Sequence, residues 1–287
     1  MPDLKAILAL SMPEYEVEYS TRDVILNALA TGFSQDPMRE AELAFTYEAL
    51  GPKVSPLFAS VLGRVGVLLR ETPGTGLTHA KSVHGEIRLE LHKPLPAAAR
   101  LLISERIAEV VDKGADKGLL IHLERKIRDK ASGDDLATII WSSLYMTDGG
   151  VRDDQQSRFV AHALPVRAPD RESRSATQPN QALLYRLVTG DNNPVHASPQ
   201  AFLNAGYARP LLHGLCTAGY ACKALLEAYC EFAPERMTSF EARFSAPMFP
   251  GETIVTQMWR DGDVLSFRSL SAERNVVTLN NGRALLR

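Results

Sequence analysis

Residues 211–230, LLHGLCTAGYACKALLEAYC, carry only four strongly polar side chains, His213, Thr217, Lys223 and Glu227. A helix of this composition is apolar around most of its circumference and has to be buried nearly all round. Lys223 and Glu227 interrupt it, and the apolar run before Lys223 is too short to cross a bilayer, so the burial has to come from protein. Much of the remaining chain reads as strands. A helix wrapped by a curved antiparallel sheet satisfies both observations, and this α+β architecture is the expected fold class.

The helix opens on His213-Gly214. The first turn of a helix leaves backbone N–H groups unpaired, and a glycine there has no side chain to hold a carbonyl group away from them. With the positive end of the helix dipole behind it, such an end can hold an oxyanion; close packing at a helix start explains a glycine equally well. Upstream lies a tight polar turn, GDNNPVH over residues 190–196, in which Gly190, Asn192, Asn193 and Pro194 are turn formers. Asp191 and His196 are five residues apart, the wrong spacing to align on a helix but short enough to meet across a loop. A carboxylate and an imidazole that reach one water can take a proton from it and return a proton elsewhere. The same residues also suit a plain turn, with Asp191 and Asn193 satisfying backbone groups and His196 capping.

In combination, Tyr185, Gly190-Asp191, Asn193-Pro194, His196, Pro210 and His213-Gly214-Leu215 resemble the signature of the MaoC-like, type 2 enoyl-CoA hydratases in residue type, order and spacing. The stretch RFSAPMFPGET, residues 243–253, is similar to the strand-entry segment that follows the hot-dog helix in that family. The resemblance implies a double hot-dog fold in which Asp191 and His196 are the catalytic pair, Asn193 supports the site and the Gly214 amide is the oxyanion donor. It implies reversible, (3R)-specific syn hydration of a trans-2-enoyl-CoA, with the acid and base roles within the pair open. No cofactor is implied beyond the CoA of the substrate, and the chain is expected to form a homodimer. A thioesterase, a dehydratase acting on carrier-protein thioesters and a non-catalytic acyl-CoA-binding subunit are the alternatives.

The first half, residues 1–150, contains no G-D-x-N-P-x-H turn and is expected not to catalyse. In the family this half has a shortened, broken central helix that leaves room for an acyl chain, and Gly63 and Gly66 within the apolar segment 56–69 suit that. By the same resemblance His84 and Gly85 line the acyl-CoA site, Lys113 meets a phosphate or the pantetheine arm, and Phe244 packs on the ligand. Read without the resemblance, Lys113 is a solvated turn lysine and Phe244 is sheet core.

Residues 20–23, STRD, predict a capped helix that Gly32 closes. Residues 45–48 read as a short strand or the lead into a loop. The alternation of Ile87, Leu89 and Leu91 predicts a strand that Pro94 and Pro96 end, and residues 101–111, 119–127 and 136–146 read as three more. Residues 151–180 are polar, carry Pro165 and Pro169 and show no strong period, so they read as the linker between two domains. In the second half, residues 181–287, strands are expected over 241–245, 253–260, 264–271 and 276–286, with Asp261-Gly262-Asp263 as a hairpin signal.

A chain of 287 residues with 45% hydrophobic content can build two buried cores. A formal net charge of -2 gives no electrostatic reason to expect a nucleic-acid partner. Seven histidines without an H-x-x-x-H pair or a Cys/His ligand cluster indicate no metal site. Cys216, Cys222 and Cys230 all fall in the apolar helix, as small core residues of a reduced protein. The first residues show no convincing signal-peptide cleavage site, and the last three are not the peroxisomal tripeptide. A cytoplasmic enzyme without a membrane span is the expectation.

Overall fold

The computed structural model describes residues 1–10, 13–63, 69, 74–151 and 156–287. Its strands are β1 (Tyr15–Tyr19), β2 (Ser82–Leu91), β3 (Ala99–Asp112), β4 (Leu119–Asp129), β5 (Asp135–Tyr145), β6 (Arg171–Ala176), β7 (Met237–Phe244), β8 (Thr253–Asp261), β9 (Val264–Ser271) and β10 (Val276–Leu286). The described α-helices are α1 (Leu4–Leu8), α2 (Thr21–Ala30), α3 (Glu40–Leu43), α4 (Gln181–Thr189), α5 (Pro199–Asn204) and α6 (Gly214–Cys230).

All ten strands form one antiparallel sheet, in the order β1-β3-β4-β5-β2-β7-β10-β9-β8-β6. Followed inward from its two edges, the sheet runs β1-β3-β4-β5-β2 on one side and β6-β8-β9-β10-β7 on the other. The first, third, fourth, fifth and second strands of each half therefore occupy equivalent places. The halves join where β2 pairs with β7, in a register from Glu86↔Arg243 to Glu90↔Ser239. This repeat is the double hot-dog fold. Across the seam Arg243 donates to Glu86 at 2.9 Å, and Arg88 is paired with Glu241.

The apolar helix is α6, and its side chains from Leu215 to Leu226 are buried throughout. Phe240, Met258, Phe267 and Leu279 of the surrounding sheet share its core cluster. On the side away from the sheet, α2 of the first half lies against it. The approach is set by two glycines. A Cβ on Gly219 would sit 2.8 Å from the Thr31 Cβ, and one on Gly32, whose φ is +86°, would enter the Tyr220 ring. Gly32 thus serves as the left-handed residue after α2 and as a groove for Tyr220. The charge of Lys223 is met inside the protein by Glu42 of α3, 3.1 Å away. All three cysteines are free and buried.

In the first half the described residues between α3 and β2 include a six-residue 3-10 turn, Pro56–Val61, every residue of it buried, and a buried helical Leu69. Gly63 follows with φ +98°, while Gly66 lies outside the described residues.

Of the two readings of residues 45–48, the lead into a loop is the one that forms: Phe45 is buried after α3, and Glu48–Leu50 is a 3-10 turn. The apolar helix opens on His213-Gly214 as expected, with His213 as its N-cap and Leu212 before it held extended in a bridge to Met248. β6 lies within residues 151–180, read from sequence as a polar connection, and β1 adds a further edge strand. The hairpin at Asp261-Gly262-Asp263 forms as expected, with Asp261 paired to Val264.

Replacing Gly219 by alanine is expected to destabilise the protein by about 1–3 kcal/mol through overpacking against Thr31, although alanine is the better helix former. Thermal unfolding of Gly219→Ala checks this, and a raised Tm would contradict the packing described.

Candidate active site

Helix α4 ends at Gly190, whose φ of +67° turns the chain away from the helix axis. The next residues form a loop held by its own side chains. The Asn193 N–H donates to Asp191 Oδ1 at 2.9 Å, and the Val195 N–H donates to Asn193 Oδ1 at 3.3 Å. These bonds fix the carboxylate and lead into the 3-10 turn Pro194–His196. Asn193 therefore supports the loop, as the sequence suggests. The loop is tied to the segment before α6, where Leu211 N–H donates to Val195 O at 3.3 Å and His196 Nδ1 lies 2.8 Å from Leu211 O.

This last bond determines the histidine tautomer. A carbonyl oxygen only accepts, so Nδ1 carries the proton and a neutral His196 has its lone pair at Nε2. That atom lies 4.0 Å from Asp191 Oδ2. The gap is too wide for a direct hydrogen bond, but an oxygen placed about 2.8 Å from each atom would subtend roughly 90° between them. One water fits between base and carboxylate. Burial pushes the His196 imidazole below its ordinary value, partly opposed by the Leu211 carbonyl and the Asp191 charge, so the neutral form is favoured.

His213, quoted in the sequence motif but given no role, completes the group. Its ring stacks on that of His196 at 3.6 Å between centroids and 21° between planes, with Tyr185 at 5.1 Å on another side. Its Nε2 lies 3.9 Å from Asp191 Oδ2, and both ring nitrogens are buried without a hydrogen-bond partner among the described residues. Burial, with help from His196 and Arg186, pushes it down to about 2. The three residues place ligand-type atoms within 4.8 Å of one another, a cluster that linear spacing did not disclose. Because the two imidazoles are stacked, their in-plane lone pairs run side by side rather than converging, which suits a shared water better than a shared cation.

Gly214 begins α6 directly behind this group, and its N–H has no hydrogen-bond partner among the described residues. A Cβ there would lie 2.8 Å from the Phe244 ring. Phe244 in turn touches His84 across the seam at 4.5 Å, and His84 is stacked on Trp141 at 3.6 Å. His84 is aimed by a bulge in the pairing of β2 with β5 at Gly85, and its Nε2 is 3.0 Å from Glu86 O. Burial pushes it down to about 3. The structure thus brings His84 and Phe244 to the start of α6, whereas a Cβ on Gly85 would face Ser142 O, Leu120 and Leu144. Lys113 is not part of this contact group: it sits on the turn between β3 and β4, with β4 and β5 separating it from β2 in the sheet. Trp141 was missed by sequence reasoning, its only signal being a large ring on a strand of small and branched neighbours.

Residues 160–281 match the MaoC like domain, and residues 17–146 match the MFE-2 hydratase 2 N-terminal domain. The peroxisomal enoyl-CoA hydratase 2 of Arabidopsis thaliana is 34% identical over 288 residues, spanning 95% of this chain and 92% of that protein. The peroxisomal multifunctional enzyme type 2 of Mus musculus is 33% identical over 278 residues, which are 94% of this chain and 37% of that longer protein. Among solved structures, a MaoC-like dehydratase from Phytophthora capsici is similar at 29% identity with a TM-score of 0.87, over 99% of both chains. With both domain matches in the order of the two halves of the sheet, the chain belongs to the MaoC-like family of two-domain, type 2 enoyl-CoA hydratases.

Proposed function

We propose that this enzyme adds water to trans-2-enoyl-CoA thioesters to give (3R)-3-hydroxyacyl-CoA, and runs the reverse dehydration. The observation that carries the reading is the 4.0 Å separation of His196 Nε2 and Asp191 Oδ2 beside the unpaired Gly214 N–H. These are the parts the addition needs: a base and an acceptor for one water, and a donor for a thioester oxygen.

In the proposed reaction the thioester carbonyl accepts a hydrogen bond from the Gly214 N–H, at the positive end of α6. Asp191 holds the water by accepting one of its hydrogens. His196 Nε2 takes the other as the water oxygen bonds to C3 and the C2–C3 π electrons move toward the carbonyl. The imidazolium so formed faces the Asp191 carboxylate and returns its proton to C2 as the enolate collapses. One group that takes and returns the proton from one face of the double bond gives syn addition. The tautomer fixed by Leu211 favours His196 as the base, a choice that residue types alone left open. The substrate's own conjugation stabilises the enolate, so the mechanism uses no cofactor beyond the CoA it carries.

The first half is proposed as the non-catalytic, acyl-accommodating domain. His84 and Phe244 line the entrance for the thioester, with Gly85 at the bulge that aims His84; Lys113 keeps a place in the proposal only as an outer contact for CoA. A homodimer and a cytoplasmic location complete the reading. Among the described residues no helix is long and apolar enough to cross a membrane.

Two outcomes test this. Purified protein is expected to abolish the enoyl-thioester absorbance of trans-2-enoyl-CoA, and Asp191→Asn and His196→Ala to lower kcat roughly 100- to 10,000-fold while thermal unfolding shows both variants folded. Release of free CoA by the wild type would replace the hydratase by a thioesterase. The second outcome concerns pH. His196 acts when neutral and its titration lies below 6.5, so kcat/KM is expected to hold through pH 6.5 on descent and to fall only under more acidic conditions. An acid limb above 6.5 in the pH profile would contradict a buried neutral base.

A further inference from the structure

His213 is 3% exposed, and neither of its ring nitrogens has a hydrogen-bond partner among the described residues. Burying an imidazole unpaired costs stability, and a phenylalanine would fill the same space and stack on His196 without that cost. A polar group left unpaired in this way is accounted for by a partner that arrives with the reaction. The steps described above use His196, Asp191 and Gly214 and leave His213 without a task.

His213 is the N-cap of α6, and its carbonyl accepts from the Cys216 N–H at 3.0 Å and from the Thr217 N–H at 3.2 Å. One helix end therefore carries both this ring and the Gly214 N–H. The ring is flanked by those of His196, at 3.6 Å, and Tyr185, at 5.1 Å. Its Nε2 stands 3.9 Å from Asp191 Oδ2, the same oxygen that lies 4.0 Å from His196 Nε2. The ligand-type atoms of the three residues all lie within 4.8 Å of one another, so a single oxygen can sit about 2.8 Å from each. A neutral imidazole has one donor and one acceptor nitrogen. In His196 the proton is at Nδ1 and Nε2 accepts. In His213 a bare Nε2 would turn its lone pair toward the carboxylate oxygen, whereas an N–H there meets it favourably, so the proton sits on Nε2. The two stacked rings are thus opposite tautomers facing one water position.

We infer that His213 orients the attacking water: its Nε2–H donates to one lone pair of the water oxygen and leaves the other to attack C3. This rests on the hydratase reading proposed above. The two hydrogens of the water are taken up by Asp191 Oδ2 and His196 Nε2, so the donor from His213 completes the arrangement and only one lone pair stays free. As the oxygen bonds to C3, the proton leaves for His196 Nε2 and passes from there to C2; His213 keeps its own proton throughout. In the dehydration direction the same N–H supports the departing oxygen as the C3–O bond breaks. Burial and the neighbouring His196 hold the His213 ring far below its ordinary value, so it stays neutral and does not compete for the proton that His196 carries.

The test compares His213→Phe, which keeps an aromatic ring in the stack but has no donor, with His213→Gln, which has a side-chain N–H but cannot stack. With trans-2-butenoyl-CoA, His213→Phe is expected to lower kcat about 10- to 100-fold with KM little changed, and His213→Gln to recover much of the loss. A ring that only held His196 in place would give the opposite order, so a folded His213→Phe with the kcat of the wild type, or a His213→Gln no faster than His213→Phe, overturns the inference. Nitrogen-15 NMR of the wild-type imidazoles decides the matter if the variants do not fold, with His213 identified by its contact with the Tyr185 ring. A proton on His213 Nε2 is expected, and a proton on Nδ1 with a bare Nε2 overturns the inference. Wild type that hydrates no enoyl-CoA contradicts the hydratase reading itself, and the NMR measurement still judges the donor at His213 separately.

Discussion

The structure depends on enclosing one helix that is apolar on nearly every side. A single sheet covers only one face of α6, and its own half of the chain cannot supply the rest. Thr31 and Gly32, at the end of α2 in the first half, close the opposite side against Gly219 and Tyr220. Glu42 neutralises the one lysine that the burial traps. The domains are therefore not separable modules joined by a strap. They share a core cluster, and the pairing of β2 with β7 makes their strands one sheet.

Burying α6 in this way also fixes where chemistry can occur. Its first residue, Gly214, lies beside Phe244 at the end of the central strand β7. The loop after α4 is fastened to the same place through Leu211, so His196, Asp191 and the helix end keep one geometry. His213, stacked on His196, fills the space that would otherwise let the ring turn. The two halves share a strand order but differ, among the described residues, in what lies against it: the 17-residue α6 in the second, and in the first the 3-10 turn Pro56–Val61 with Leu69 and Ile7 buried further along β3 and β4.

The sequence discloses these parts unevenly, for physical reasons. β2 was readable because inward and outward side chains alternate along it, β4 and β5 because turn-rich segments bound their apolar runs, and α6 because its composition permits no other place. The edge strand β6, with the sequence RESRSA, faces solvent on much of its surface and so looks like polar connection, while β1, YEVEY, alternates but over five residues only. Asp191 and His196 could be singled out because the turn formers between them force a loop. The stacking of His213 on His196 could not, since it arises only when Leu211 O accepts from His196 and folds the approach to α6 over the turn. The His84, Trp141 and Phe244 contacts join three strands, and no local pattern encodes a contact across the seam.

In the proposed reaction the water oxygen and the C2 proton arrive on the same face of the substrate, the face of His196 and Asp191. Hydration of a trans-2-enoyl-CoA in deuterated water, with the product analysed by NMR, tests this directly. The account predicts a 3R hydroxyl with deuterium at C2 on the same face as the new oxygen. Deuterium on the opposite face, or scrambled between both faces from the first turnover, would contradict it.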